Sequence, residues 1–89
     1  MKFKLGRVVT TIGAVHAFME NRQAPNEFIT RHVNGDWGEL CEEDKEANEI
    51  AIKNNYRILS KYRLDDGQEI YICTEWDRSY TTVMKKEDY

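Results

Sequence analysis

The sequence predicts an α+β domain in which three N-terminal helices pack on an antiparallel three-stranded meander, with a short N-terminal strand able to add at one edge. Three observations carry this expectation. Apolar residues recur at helical spacing through Asn54, then switch to alternation from Tyr56 onward. Two turn signals, Asp65-Asp66-Gly67 and Asp77-Arg78-Ser79, divide the alternating part into three runs. Residue pairs that tolerate a left-handed backbone, Asn34-Gly35 and Asn54-Asn55, close the second and third helical stretches. With 89 residues, 40% of them hydrophobic and 33% charged, the chain has material for one core and a well-solvated surface. A single domain spanning 1–89 is therefore expected, and disorder is not.

The first strand is read from Phe3 to Val9, where Val8 and Val9 are β-branched and Gly6 argues for an edge or a bulge. A hydroxyl at Thr10 or Thr11 can cap the helix that follows. In that helix Ile12, Val15 and Met19, with Phe18 alongside, are expected to form the buried face, and the helix should stop near Asn21 or Arg22. Ala24-Pro25 opens a second helix, since proline is tolerated in a first turn where its missing N–H costs nothing. Phe28, Ile29 and Val33 make its apolar face, and His32 stands beside that face.

Between the second and third helices lies Arg31-His32-Val33-Asn34-Gly35-Asp36-Trp37-Gly38-Glu39-Leu40-Cys41-Glu42-Glu43-Asp44, the most distinctive stretch of the chain. Asp36 and Glu39 have the spacing of a capping box, which predicts a single turn through Trp37 and Leu40. A third helix should run from Glu42 to Asn54, with Glu42, Glu43 and Asp44 in a first turn that favours negative charge. Ala47, Ile50 and Ala51 are expected as its buried stripe. Strands are then read over Tyr56–Leu64, Gln68–Trp76 and Tyr80–Met84. In the middle strand Ile70, Ile72, Thr74 and Trp76 share one side, and Glu69, Tyr71, Cys73 and Glu75 the other. Lys85 to Tyr89 reads as a loosely docked tail.

The net charge of −3 is unevenly placed. Residues 1–35 carry five basic and two acidic groups, residues 36–49 carry seven acids against Lys45 alone, and residues 50–89 balance. Nucleic acid is thus not the expected partner, because phosphate binding draws on clustered Lys and Arg. A nucleic-acid-binding regulator would have to use Lys2, Lys4, Arg7, Arg22 and Arg31 on one face. No apolar run approaches the roughly 20 residues of a membrane span, and the basic N-terminus lacks the apolar core of a secretory signal. Cys41 and Cys73 lack metal-ligand spacing and read as reduced thiols, which fits a cytoplasmic setting.

No phosphate-cradling Gly-rich loop, His-Glu-x-x-His pair or Cys-x-x-Cys motif is present, so no cofactor is expected. A small metal-dependent hydrolase or nuclease would need His32, Asp36, Glu43 and Asp77 to converge. The simpler reading makes Asp36 a helix cap and Asp77-Arg78-Ser79 a turn in which Asp77 and Ser79 bond the backbone and Arg78 pairs with an acid. Trp37 and Trp76 remain as candidate anchors for a protein partner, a role in which tryptophan is enriched. Glu39, Glu42, Glu43 and Glu46 beside the first, and Asp77 and Arg78 beside the second, complete the candidate binding residues.

The order of several segments carries a resemblance. Gly6-Arg7-Val8-Val9-Thr10, Arg31-His32, Gly35-Asp36-Trp37-Gly38-Glu39-Leu40 and Glu43-Asp44-Lys45-Glu46-Ala47-Asn48 are followed by Arg57-Ile58-Leu59-Ser60-Lys61-Tyr62 and Thr74-Glu75-Trp76-Asp77-Arg78-Ser79-Tyr80-Thr81-Thr82-Val83. In these, nearly the whole chain resembles short proteins of bacterial conjugative elements, plasmids and phages, labelled plasmid-related proteins or restriction–modification subunits. The resemblance implies a mobile-element setting and no catalytic role. The small size, the acidic stretch and the two candidate tryptophan anchors lead to the expectation of a non-enzymatic accessory protein that binds a host or mobile-element protein, and the setting implied by the resemblance makes it an inhibitor of restriction or CRISPR.

Overall fold

A computed structural model describes all 89 residues. The chain runs β1 (Arg7–Thr10), α1 (Ile12–Asn21), α2 (Pro25–Val33), α3 (Glu42–Asn54), β2 (Ile58–Arg63), β3 (Glu69–Thr74) and β4 (Tyr80–Lys85), and ends in a short 3₁₀ turn at Lys86–Asp88. It is an α+β fold with three helices and a four-stranded mixed sheet of order β1-β4-β3-β2. The expected three-stranded antiparallel sheet is incomplete as a description. β2, β3 and β4 are antiparallel neighbours, but β1 joins as a fourth strand, parallel to β4. The connection permits this pairing. Three helices separate β1 from the meander, a segment long enough for the crossover that parallel strands need.

Gly6 sits just outside β1 with φ +65, and a Cβ there would lie 2.4 Å from the Ser79 carbonyl oxygen. Only glycine lets the chain pass this close to the β3–β4 turn before Arg7 N–H bonds Ser79. Thr11 caps α1, its hydroxyl accepting from Ala14 N–H. Of the expected buried face of α1 only Phe18 is buried. Ala14, Ala17 and Phe18 are buried, whereas Ile12 is 78% exposed, Met19 72% and Val15 40%. Small residues let the helix approach the sheet closely, and that contact outweighs the size of the apolar side chains on its other side.

The main core joins these three residues to Phe28 of α2 and to Tyr62, Leu64, Ile70, Ile72 and Val83 of the sheet. A second, smaller cluster forms around Trp37, Ala51 and Ile58, with Phe3, Leu40 and Ile52 packed against it. The β2–β3 turn forms as read, with Leu64 N–H bonding the Gln68 carbonyl and Gly67 N–H bonding Leu64. Side chains at the end of α1 hold it, Asn21 and Gln23 accepting from the N–H groups of Asp66 and Asp65.

The distinctive central stretch seals the β2 edge of the sheet. Lys61 N–H bonds the Trp37 carbonyl and Glu39 N–H bonds the Lys61 carbonyl, so Trp37-Gly38-Glu39 runs beside β2 as a one-bridge parallel strand. Gly38 has φ +72, and a Cβ there would stand 1.9 Å from the Lys61 oxygen, so no other residue fits. One step along, Asn48 of α3 uses both ends of its amide on Leu59, donating to the carbonyl at 2.7 Å and accepting from the N–H at 3.1 Å. All four outward backbone groups of Leu59 and Lys61 are thereby paired.

This arrangement corrects two expectations. Asp36 and Glu39 form no capping box. Asp36 instead pairs with Arg31 and accepts from Gly38 N–H, Glu39 pairs with Arg63, and the α3 cap is Cys41 without a side-chain bond. The buried residues of α3 are Asn48 and Ala51, while Ala47 and Ile50 face outward. A helix lying along a sheet edge meets backbone N–H and C=O groups, and an amide satisfies them where isoleucine cannot.

Candidate functional site

Trp37 and Trp76, alike in sequence, differ completely in place. Trp37 is 4% exposed, stacks on Phe3 and donates its indole N–H to Glu49 at 2.8 Å. It joins the N-terminal segment, α2 and α3, and it is core rather than a docking anchor. Trp76 is 63% exposed. It was expected on the apolar side of the middle strand, but β3 ends at Thr74 and Trp76 stands in the β3–β4 turn.

Arg78 builds the surface around Trp76. Its residue adopts φ +59, a left-handed conformation that costs a non-glycine residue about 1 kcal/mol. The guanidinium repays that strain with four hydrogen bonds to backbone carbonyls. One nitrogen reaches Tyr56 at 2.7 Å, Glu75 at 3.0 Å and Trp76 at 3.2 Å, and the other reaches Ala51 at 2.8 Å. A cation on a carbonyl in the last turn of α3 is also favoured by the helix dipole. Burial lowers the Arg78 pKa, and the geometry supplies carbonyl oxygens where a carboxylate would otherwise be expected. Asp77 accepts from both the N–H and the hydroxyl of Ser79, which holds its carboxyl below the usual range. Asp77 thus holds the turn as the sequence predicts, whereas Arg78, expected to pair with an acid, bonds backbone carbonyls instead.

The result is one rigid end of the molecule where Tyr56 and Trp76 are exposed with their backbones clasped by a single nitrogen of Arg78. Ile50, one residue before Ala51, is exposed on the same end of α3. Glu42, Glu43 and Glu46 are exposed too, but they occupy the first turns of α3. From Glu42 to Asn54 the helix rises about 18 Å, so the acidic start and the aromatic end are two separate regions. Glu39 lies on the sealed β2 edge against Arg63 at 3.2 Å. No sequence signal marked Tyr56 or Ile50; Ile50 had been placed in the core by its spacing.

The residues of the metal-dependent alternative do not converge. Asp36 is held by Arg31 at 2.7 Å, a contact that pulls its carboxyl below the usual range. Asp77 is engaged with Ser79, and Glu43 lies in the first turn of α3. His32 is fully buried. Nothing groups three His, Cys, Asp or Glu side chains in a metal-holding arrangement.

His32 sits in a polar chain that sequence did not foresee. Nδ1 lies 2.5 Å from the Ser60 hydroxyl and Nε2 lies 2.9 Å from that of Thr74. Thr74 is 2.7 Å from the Thr81 hydroxyl, and Thr81 donates to the Leu5 carbonyl at 2.7 Å. A carbonyl only accepts, and each hydroxyl has one proton, so Thr81 donates to Leu5, Thr74 to Thr81, and His32 Nε2–H to Thr74. Burial pushes the His32 pKa down to about 3, so the ring is the neutral Nε2–H tautomer and Nδ1 accepts from the Ser60 hydroxyl. His32, Ser60, Thr74 and Thr81 are all fully buried, so the Ser60–His32 pair ties α2 to the sheet and meets no solvent-borne substrate. The available signal was the placement of Ser60 and Thr74 at inward positions of otherwise apolar strands.

One concave site exists, a pocket of about 220 Å³ lined by Leu40, Asp44, Ala47, Asn48, Arg57 and Leu59. It is smaller than the roughly 300–1,000 Å³ of ordinary ligand sites. The thiols are unpaired. Cys41 is exposed, and Cys73 is buried with its pKa pushed up to about 11 by that burial and by Glu75. Of the N-terminal basic residues, Arg31 is engaged with Asp36 and stacks over Tyr62, while Lys2, Lys4, Arg7 and Arg22 are exposed. No helix is long and apolar enough to cross a membrane. Compared with known proteins, the chain matches no family model, no curated protein and no solved structure.

Proposed function

We propose that this chain is a small non-enzymatic binding protein that docks another protein through its exposed aromatic end. The observation that carries the reading is Trp76, 63% exposed in a turn that Arg78 and Asp77 hold rigid. An exposed indole on a pre-ordered backbone loses little freedom on binding, and tryptophans of this kind dominate interface energetics. Tyr56, whose carbonyl shares an Arg78 nitrogen with that of Trp76, and Ile50 on α3 are exposed apolar side chains as well. The acidic first turns of α3 flank the surface at a distance and favour a partner with basic groups.

The resemblance of the ordered segments to short mobile-element proteins gives the setting we propose, an accessory protein that binds a host protein in the cytoplasm. Inhibition of a host defence, of the anti-restriction or anti-CRISPR type, is the activity that joins such a setting to a binding surface without catalytic groups. The test is capture from a bacterial host lysate on immobilised protein, wild type against Trp76→Ala. A host protein retained by the wild type and lost by Trp76→Ala supports the reading. Retention that does not depend on Trp76, or no specific retention, overturns it.

A further inference from the structure

The two edges of the sheet are treated differently. At β2 every outward backbone group of Leu59 and Lys61 is covered from within the chain. At β1 the opposite holds. Arg7 N–H bonds Ser79 and Thr11 N–H bonds Val83, so in this parallel pair Arg7, Val9 and Thr11 direct their backbone groups at β4. The N–H and C=O groups of Val8 and Thr10 point out of the sheet with no element beside them. Proteins ordinarily cover or block such an edge, because it is a template for another strand.

We propose that β1 pairs antiparallel with β1 of a second copy of this chain, giving a two-fold dimer with a continuous eight-stranded sheet. The register is set by the hydrogen-bonding groups. Outward-facing residues must meet outward-facing residues, and the pairing that uses both Val8 and Thr10 places Val8 of each copy opposite Thr10 of the other. Four backbone hydrogen bonds form, and Val9 faces Val9 across the two-fold axis.

Two features of the chain fit this occupant. Arg7 falls opposite Thr11 of the second copy, whose hydroxyl lies 3.5 Å from the Asp88 carboxylate. Neither Arg7 nor Asp88 belongs to an ion pair within one copy, so the pairing brings together an unmatched cation and an unmatched anion. Apolar side chains also flank the edge. Val8 is on the sheet face that α1 covers, since it is in register with buried Thr81, and Ile12 and Val15 follow in the first turn of α1. All three are exposed in the single copy.

The test reads the self-pairing of residue 9. Sedimentation equilibrium at about 100 µM, a concentration at which an interface of this modest size is populated, is expected to give a dimer for the wild type. Val9→Lys and Val9→Asp each place like charges across the axis, and each is expected to weaken the dimer about tenfold or more. Mixing the two variants in equal amounts is expected to restore association, because only a two-fold pairing puts Lys opposite Asp. Val9 is 40% exposed, and circular dichroism of each variant checks that it is folded. Should Val9→Lys fail to fold, Arg7→Glu reads the same contact through its opposition to Asp88, with a weakened dimer expected. A wild type that stays monomeric, charged variants that dimerise as well as the wild type, or a mixture that fails to associate would each overturn the proposal.

Discussion

Acidification from pH 7 to pH 5 tests the buried polar chain through one group. His32 has its pKa pushed down to about 3 by burial, against about 6.5 in the unfolded chain. The unfolded state therefore binds a proton that the folded state refuses. The stability that His32 contributes is complete above about pH 6.5 and is lost progressively as pH falls toward 3. Integrating between pH 7 and pH 5 gives a loss of about 2 kcal/mol. Asp36, Asp66, Glu69, Asp77 and Glu87 are held below their usual range, so in the folded protein they stay ionised through this window, and they are common to the two proteins compared.

The assay is urea unfolding followed by circular dichroism at both pH values, for the wild type and for His32→Gln. Glutamine keeps one donor and one acceptor but cannot titrate. It should lower stability at pH 7 by about 1–3 kcal/mol, because it cannot serve Ser60 and Thr74 with the geometry of the ring. It should also abolish most of the pH dependence between 7 and 5. Equal slopes for the two proteins would refute the claim that a neutral, buried His32 holds this network.

Two further substitutions probe the scaffold of the candidate site. Asn48→Asp keeps the acceptor for Leu59 N–H but sets a carboxylate against the Leu59 carbonyl, and should cost about 1–3 kcal/mol in chemical unfolding. Arg78→Ala removes charge-assisted bonds to four carbonyls and should cost about 2–4 kcal/mol. It should also loosen Trp76, seen as greater mobility of the indole in NMR relaxation.

The order and type of nearly every element were legible in the sequence because they depend on local chemistry. Pro25, Asn34-Gly35 and Asp65-Asp66-Gly67 mark boundaries through backbone preferences that packing does not reverse. Which face of a helix is buried depends on its neighbour. Ile12, Val15 and Met19 have the spacing of a core stripe, yet Ala14 and Ala17 take that place because α1 lies close to the sheet. Ile50 lost its expected place to Asn48 because α3 covers an edge with unpaired backbone groups. Asp36 and Glu39 match a capping motif, but Asp36 turns back to Arg31, five residues before it, and Glu39 pairs with Arg63, distant in sequence and near in space. Trp37 and Trp76 could be separated only by position. One falls where the central strap turns inward over Ala51 and Ile58, the other just past the last residue of β3.

The proposal that Trp76 is the anchor of a binding surface is tested most directly by the affinity of the purified captured partner for wild type and Trp76→Ala, with unfolding midpoints measured alongside. The expected result is a loss of about thirtyfold or more in affinity, the signature of an interface hot spot, with stability changed by less than about 0.5 kcal/mol. Equal affinity of the two proteins, or a stability loss of about 3 kcal/mol or more of the kind expected for buried Trp37→Ala, would contradict it.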